Sequence, residues 1–474
     1  MTRMSDAEMI MWAVEKDPAL RSDFINITIL EREPDLVRFR ASIERVLGAI
    51  PKLTQRVVSA PLRLAPPEWR DDPHFDLDYH LRTIAAPAPG GQRELLDLAA
   101  VLSATPLDRS RPLWEFTLVT GLEGGGAALL QKVHHTITDG VGGVKLSLSL
   151  LDFEPDPAPA EQPTPAAQVA AEYDAEQRTD VGEDPIVRTT PFDVLGDALT
   201  FAISNGVTRA RRGLNSATSL AIHPTRAGQR ANDTARMLGS IRRQLFVTEP
   251  SRSELMRPRS LGRVFDAFQA PLDDARRVAS ALGGSVNDAY VTGLTGALGL
   301  YHERMGQPCD ELRMAMPIST RTSDDDEESN SFTPARVVVP VQPKDPAARF
   351  ALVHDQLAAV RSEPAIGAAG SLAGLLTPLP TSALVSLTRS QAGTIDFAAS
   401  NLRGSPVDLY LAGARILANF PMGPRTGCGL NVTLLSYKNS LDMGLNIDPA
   451  SVTDTHTLLD CFDESFGALF DVAR

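Results

Sequence analysis

The sequence contains few cysteines for its length. Among 474 residues there are three, Cys309, Cys428 and Cys461, which lie far apart and lack CxxC spacing. An odd number leaves one thiol unpaired under any disulfide scheme. This pattern excludes a small domain held together by disulfides or a structural metal, and we expect a reducing, cytoplasmic compartment.

The sequence also has fewer basic than acidic residues. Lys and Arg number 46 against 59 Asp and Glu, which gives a net charge of −13 and a pI of about 5.2. This balance argues against a protein that binds nucleic acid over its whole surface. Residues 191–230 are locally basic, and we interpret them as a solvated face, with a membrane-binding surface as the alternative.

Long apolar runs are missing as well. The first twenty residues carry four acidic side chains and no apolar stretch that would resemble a secretion signal. The longest segment without charge, 364–388, is rich in small residues and is broken by Pro378 and Pro380. A spanning helix needs about 20 mostly apolar residues, so we predict a loop with short helices there, and only peripheral contact with lipid.

Length and composition predict two large globular domains. The 474 residues, of which 43% are hydrophobic, are too many for one ordinary core. Residues 154–190 are rich in Pro, Ala, Glu and Asp, which is typical of a linker. We therefore predict an N-terminal domain at 1–153 and a C-terminal domain at 191–474.

Both halves show mixed helix and strand patterns. Apolar residues at helical spacing predict helices near 36–50, 191–220, 272–282, 286–301, 346–362 and 455–470. Apolar or alternating segments predict strands at 24–30, 114–120, 127–133, 337–341 and 430–437, the last forming a hairpin with a strand that ends at residue 447. The predicted fold class is α/β, an α+β sandwich in each half.

Several catalytic signatures are absent, including the G-x-S-x-G nucleophile elbow, the Walker loop and the dinucleotide fingerprint. The segment His134-His135-Thr136-Ile137-Thr138-Asp139-Gly140 instead follows a predicted strand directly. A neutral imidazole can accept a proton near pH 7 and return it later, which suits a general base. A pair of solvated or hydrogen-bonded loop histidines is the simpler alternative.

Metal binding is a weaker interpretation of the same segment. Adjacent side chains on an extended chain point to opposite faces, so His134 and His135 would not converge on one ion. The consecutive acids at 324–328 are typical of a solvated loop, because metal ligands surround an ion. We expect no metal and no bound cofactor.

The motif His134-His135-x-x-x-Asp139-Gly140 resembles the HHxxxDG signature of the coenzyme A-dependent acyltransferase superfamily. Further segments are similar to the bacterial wax ester synthase/diacylglycerol acyltransferase family: the stretch 69–80, Pro112-Leu113-Trp114, Asn287-Asp288 and the hairpin at 430–445. The resemblance runs from about residue 5 to about residue 470. One departure, Asn401-Leu402-Arg403-Gly404-Ser405, stands where many members carry Asn-Val-Pro-Gly-Pro, so substrate preference is less defined than reaction type.

The resemblance implies two chloramphenicol-acetyltransferase-like domains joined by a linker, with the active site in a tunnel at their interface. His135 would be the general base that deprotonates the acceptor alcohol as its oxygen attacks the thioester carbonyl, without an acyl-enzyme. It would then protonate the departing thiolate. His134 would be a supporting residue, and acyl-CoA would be a co-substrate.

The resemblance also implies a role for Asp139, whose carboxylate would hold the loop through an arginine, with Arg313 and Arg321 as candidates. Gly140 would allow a backbone conformation or close approach that a Cβ would block.

Four other residues have structural interpretations. Ser285-x-x-Asp288 reads as a capping box at a helix start. Asn287 could in addition donate a hydrogen bond near the developing oxyanion or orient the His loop. Trp114 is expected to pack beneath the active-site strand.

The implied function is transfer of a fatty acyl group from acyl-CoA to diacylglycerol or a long-chain alcohol, giving triacylglycerol or wax ester. The alternatives are an HHxxxDG acyltransferase for another lipid or polyketide hydroxyl, and a catalytically silent lipid-binding protein. Because the substrates are amphiphilic, we expect peripheral association with the inner membrane or lipid droplets. The sequence does not indicate the oligomeric state.

Overall fold

The computed structural model describes residues 2–60, 65–138, 140–157, 249–319, 332–342, 344–361, 376–377 and 379–474. Most of the predicted linker and the whole predicted helix at 191–220 lie outside these ranges, and so does the acidic run at 324–328. The proposed domain boundaries therefore stay predictions.

The described residues form fourteen strands: β1 (Asp23–Leu30), β2 (Gln55–Val58), β3 (Glu68–Asp71), β4 (Leu81–Ala85), β5 (Trp114–Thr120), β6 (Ala127–His134), β7 (Val264–Pro271), β8 (Glu311–Ser319), β9 (Phe332–Pro340), β10 (Phe397–Arg403), β11 (Tyr410–Leu411), β12 (Ala414–Met422), β13 (Leu430–Tyr437) and β14 (Ser440–Ile447).

The same ranges contain ten α-helices: α1 (Asp6–Val14), α2 (Leu36–Ala49), α3 (Leu77–His80), α4 (Gln92–Ala104), α5 (Gly140–Ser149), α6 (Leu272–Ala281), α7 (Val286–Arg304), α8 (Pro346–Arg361), α9 (Thr381–Ala392) and α10 (Thr455–Asp471).

The predicted α/β class is confirmed, and so is each helix and strand predicted within the described ranges. The hairpin of β13 and β14 pairs antiparallel from Leu430↔Ile447 to Tyr437↔Ser440. Its turn residue Lys438 has a φ of 52°, the left-handed conformation that reverses the chain. The sequence interpretation missed the other eight strands: β2, β3, β4, β7, β8, β10, β11 and β12.

Two six-stranded sheets organise the described part of the chain. Sheet A has the order β11-β12-β1-β6-β5-β4, and sheet B has the order β7-β14-β13-β10-β8-β9. Sheet A is antiparallel except for the β4–β5 pair, whereas β13, β10 and β8 run parallel in sheet B.

Helices cover both sheets. Apolar residues of α2 and α5 pack on one face of sheet A, and α4 packs between the other face and β7. On sheet B, α7 is buried on all sides because α6, α8 and α10 surround it. No helix in the described ranges is long and apolar enough to cross a membrane.

The two sheets are joined by β12, which comes from the C-terminal half of the chain but pairs with β1 in sheet A, for example at Ile27↔Phe420. Strand β12 also packs against β13 and β14 of sheet B. The approach is close: a Cβ on Gly444 would overlap the carbonyl oxygen of Pro421, and one on Gly423 would lie 2.5 Å from Oγ1 of Thr433. Glycine is therefore required by space at this junction.

This junction generates a stability prediction. We expect Gly444→Ala to lower the free energy of unfolding by about 1–3 kcal/mol, because the added methyl group overpacks the contact with Pro421. Gly467→Ala is the matched control, since a Cβ at this exposed position on α10 meets nothing within 4 Å. It should raise stability by about 0.5–1 kcal/mol. Urea unfolding measures both, and equal stability of the Gly444 variant and the native protein would contradict the close crossing.

Candidate active site

The His pair lies where β6 ends. Strand β6 is buried along its whole length between β1 and β5, with Asp23↔His134 and Trp114↔Val133 as register partners. The backbone N–H of His134 donates to Leu113 O at 3.0 Å, and that of His135 donates to Ser22 O at 3.1 Å. The backbone of His134 is thus bonded to the residue before β5, and the backbone of His135 is bonded to the residue before β1.

The side chain of His134 is buried, with 2% of its surface exposed. Its Nε2 lies 2.6 Å from Oε1 of Glu15, and its Nδ1 lies 2.7 Å from Oγ1 and 3.1 Å from the backbone N of Thr136. Because the Thr136 N–H donates to Nδ1, the network assigns the proton to Nε2. Both ring nitrogens are engaged within the protein, which is the geometry of a supporting residue.

Glu15 is a site residue that sequence reasoning missed. Its Oε1 accepts hydrogen bonds from His134 Nε2 at 2.6 Å and from the backbone N–H of Ser22 at 2.7 Å. Burial raises the pKa of Glu15, but the bonds from His134 and Ser22 and the charge of Arg109 outweigh it, so the pKa lies below its usual value. A lone acid just after α1 carries no local signal that would have revealed this contact.

His135 is half-buried and lies on the other side of the strand end. Its ring contacts the ring of Phe24, with 4.9 Å between centroids and 53° between planes. Asp23 of β1 is the register partner of His134. Phe24 is the next residue on β1, so it faces the opposite side of sheet A. The expectation that the two imidazoles would not converge is confirmed. Within the described ranges no group of three or more His, Cys, Asp or Glu could hold a metal ion.

Helix α5 follows the His loop and connects the site with both sheets. Gly140 is its first residue, whereas Asp139 lies outside the described residues. A Cβ on Gly143 would lie 3.2 Å from the Phe24 ring, and Ser147 Oγ donates to Gln131 Oε1 of β6 at 3.1 Å. Because α5 also contacts β10, the His loop lies where sheets A and B meet.

The capping box predicted at Ser285 and Asp288 is confirmed. Oδ2 of Asp288 accepts from Ser285 N at 2.7 Å and Ser285 Oγ at 2.8 Å, and it pairs with His354 Nδ1 at 3.0 Å. Burial raises the pKa of Asp288, but the bonds from His354 and Ser285 outweigh it and hold the pKa below its usual value. Asp288 therefore starts α7 and binds it to α8.

Asn287 lies beside this cap on the first turn of α7. Its Oδ1 accepts from Nδ2 of Asn401 in β10, at 3.1 Å. This hydrogen bond brings the Asn287-Asp288 segment next to Asn401, the first residue of the segment 401–405 in which the sequence departs from the family pattern. Gly404 keeps its place in that segment because a Cβ there would overlap the carbonyl oxygen of Ser436.

Trp114 is a buried residue at the start of β5, beside the end of β6. It is 1% exposed, its Nε1 donates to Leu53 O at 2.8 Å, and its ring stacks on His80 at 4.6 Å. Nδ1 of His80 lies 2.7 Å from the Trp114 carbonyl oxygen. These contacts orient the start of β5, which neighbours the end of β6.

Arg313, one of two candidate partners for Asp139, is buried in the C-terminal half. Its guanidinium donates to the carbonyl oxygens of Thr394 and Pro250, at 2.8 and 3.0 Å, and pairs with Glu249 at 3.0 Å. Arg321 lies outside the described residues, as Asp139 does. The pairing of Asp139 with an arginine therefore stays a prediction.

Comparison with known families gives two matches along the chain. Residues 8–290 match the wax ester synthase/diacylglycerol acyltransferase catalytic domain, and residues 329–470 match the WS/DGAT C-terminal domain. The chain is also similar to two Mycobacterium tuberculosis proteins named as diacylglycerol O-acyltransferases. One is 36% identical over 99% of this chain and 93% of its own length, and another is 29% identical over 92% and 82%.

Solved structures share the fold. The wax ester synthase/diacylglycerol acyltransferase from Marinobacter aquaeolei VT8 has a TM-score of 0.62 at 21% identity, with 100% of both chains covered. A mutant starter condensation domain of rhizomide synthetase in complex with C8-CoA has a TM-score of 0.57 at 12% identity, with 99% of this chain and 94% of that chain covered. These likenesses confirm the predicted two-domain, acyltransferase-like fold.

The cap at Asp288 leads to a prediction about stability. We expect Asp288→Ala to lower the free energy of unfolding by about 1–3 kcal/mol at pH 7, because the carboxylate caps α7 and pairs with His354. The folded-state pKa is depressed, so this contribution is present above the ordinary aspartate pKa of about 3.9 and is lost as pH falls through the folded value.

Urea unfolding between pH 7 and pH 3 measures this effect. Asn287→Ala is the control from the same helical turn and should change stability by less than about 0.5 kcal/mol. A stability difference for Asp288→Ala that grew on acidification would contradict the assignment.

Proposed function

We propose a reaction for this chain on the premise that it belongs to the wax ester synthase/diacylglycerol acyltransferase family and is an O-acyltransferase. The reaction transfers a fatty acyl group from acyl-CoA to the hydroxyl of diacylglycerol or a long-chain alcohol. The products are triacylglycerol or wax ester, and coenzyme A.

His135 is the general base in this proposal. The observation that carries it is the half-buried imidazole at the end of β6, whose backbone is held by Ser22 and whose ring rests on Phe24. A general base must be within reach of the proton that it removes. His135 Nε2 takes the proton of the acceptor hydroxyl as its oxygen attacks the thioester carbonyl, and returns it to the departing thiolate.

Acyl transfer is direct in this scheme, without an acyl-enzyme. Burial raises the thiol pKa of Cys309 to about 12 and that of Cys428 to about 11, so neither thiol is ionised near neutral pH. Thiolate is the nucleophilic form of cysteine, which argues against these residues as acyl carriers. The acceptor hydroxyl then has to meet acyl-CoA in a ternary complex.

Asn287 and Asp139 support the reacting groups. The Oδ1 of Asn287 is taken by Asn401, so its Nδ2 is the end that donates toward the oxyanion that develops on the thioester carbonyl. For Asp139, which lies outside the described residues, we keep the role that the family resemblance implies, that its carboxylate holds the loop through an arginine. His134 supports the loop from the opposite face of sheet A.

Acyl-CoA as donor is supported by the C8-CoA complex of the condensation domain that shares this fold. The acceptor is less constrained, because Arg403 and Ser405 replace the prolines that many family members carry at this point. Another lipid or polyketide hydroxyl is therefore the second candidate acceptor.

An acceptor panel tests the reaction. Purified full-length protein is incubated with labelled palmitoyl-CoA and hexadecanol, diolein or no acceptor. We expect labelled ester only when an acceptor is present, together with stoichiometric release of coenzyme A. A burst of coenzyme A without acceptor would indicate an acyl-enzyme, and no ester with hexadecanol or diolein would exclude both acceptors and favour another lipid or polyketide hydroxyl.

His135→Ala tests the general base. The variant should lose about 10²–10⁴ in kcat, the usual contribution of a positioned acid–base group. His456→Ala is the control, because that imidazole is exposed on α10. Ester formation that is unchanged in His135→Ala would exclude the mechanism.

Peripheral association with a membrane or lipid-droplet surface is part of the proposal, because both substrates are amphiphilic. The candidate segments, 191–230 and 364–388, lie mostly outside the described residues. Deletion of 191–230 should reduce flotation with phospholipid vesicles if that segment is the anchor. Flotation equal to that of the intact chain would exclude it.

A further inference from the structure

We propose that Glu15 is a positioning residue for acyl transfer. It holds His134 in one tautomer and holds the backbone that carries His135, without touching the substrates. The inference rests on the proposed role of His135 as general base.

A single oxygen makes the connection. Oε1 of Glu15 lies 2.6 Å from His134 Nε2 and 2.7 Å from the backbone N of Ser22. The carbonyl oxygen of the same Ser22 accepts the backbone N–H of His135 at 3.1 Å. Glu15 therefore reaches the catalytic loop by two routes, one through the His134 ring and one through the Ser22 residue at the start of β1.

The His134 ring is held from both ends. The backbone N–H of Thr136 donates to Nδ1 at 3.1 Å, which leaves the ring proton on Nε2, where Glu15 accepts it. Thr136 is itself fully buried, two residues after His134. Loss of the carboxylate would leave a buried N–H without its acceptor, at a cost that favours rotation of the ring and movement of the loop.

The surroundings keep Glu15 ionised and in place. The Arg109 guanidinium lies 3.3 Å from the centroid of the Trp12 ring and donates to the Trp12 carbonyl oxygen at 2.8 Å. Its charge contributes to the lowered pKa of Glu15. A cavity of about 100 Å³ borders Glu15, Arg109 and His134, so water can fill the space when the side chain is shortened and the fold can persist.

Glu15 lies on the side of sheet A away from the chemistry. His134 and Asp23 point to this side, whereas His135 and Phe24 point to the other. Its effect must therefore pass through His134 and Ser22. Misplacement of a reacting group by about 1 Å can cost about 10² in rate, which sets the expected scale.

The test compares Glu15→Ala with Glu15→Gln in the transfer assay with the full chain. Glu15→Ala should lower kcat about 10- to 100-fold and leave the KM for acyl-CoA within about threefold, because in this proposal Glu15 does not touch the substrates. Glu15→Gln keeps a carbonyl oxygen that can accept from Nε2–H and should recover most of that loss. Asp17→Asn is the control, since this nearby carboxylate pairs with Arg389 and not with the His loop.

A double-variant cycle separates positioning from general destabilisation. If Glu15 acts mainly through His134, then Glu15→Ala combined with His134→Ala should lose little more activity than His134→Ala alone. If the two substitutions acted independently, the fold losses of activity of the two single variants would multiply in the double variant. A multiplied loss, or a kcat for Glu15→Ala within twofold of the native value, would overturn the proposal.

The tautomer gives a readout that does not depend on activity. ¹⁵N-histidine NMR, assigned with His134→Ala, should show His134 as the Nε2–H tautomer at neutral pH and a changed signal in Glu15→Ala. An unchanged signal would overturn the proposal even if that variant were inactive or folded poorly. If the native protein forms no ester with any acceptor, the proposed function fails, while the NMR result still decides whether Glu15 holds His134.

Discussion

Strand β12 is the constraint on which the arrangement of the two halves depends. It pairs with β1 in sheet A and lies so close to β14 of sheet B that a side chain at Gly444 would overlap Pro421. Strand β1 in turn pairs with β6, which ends at His134. The position of the His loop relative to sheet B therefore follows from a chain of backbone pairings that begins at β12.

The two histidines at the end of β6 lie on opposite faces of sheet A. One face carries His135 against Phe24 and is covered by α5, which reaches β10 of the other sheet. The other face carries His134, enclosed by Glu15 and Thr136. Adjacent residues in an extended strand point to opposite sides, so the tandem pair places a half-buried imidazole on one face and a buried imidazole on the other.

Features with local signals were predicted from the sequence. The capping box of Ser285 and Asp288 depends on two residues three positions apart, and the hairpin of β13 and β14 depends on alternation around a turn. Strand β11 and the pairing of β12 with β1 have no such signal. Thr28 and Asn419, which share a 2.7 Å hydrogen bond across that pairing, are 391 positions apart.

The sequence by itself determined the α/β class, the family and its reaction type, and the candidate base, because the HHxxxDG motif is contiguous and its neighbours carry recognisable patterns. Only the tertiary structure decided what surrounds the motif. Glu15 meets His134 across 119 positions, and Asn287 meets Asn401 across 114. Such contacts form only when strands pair and sheets pack. The spacing of residues along the chain therefore does not predict them.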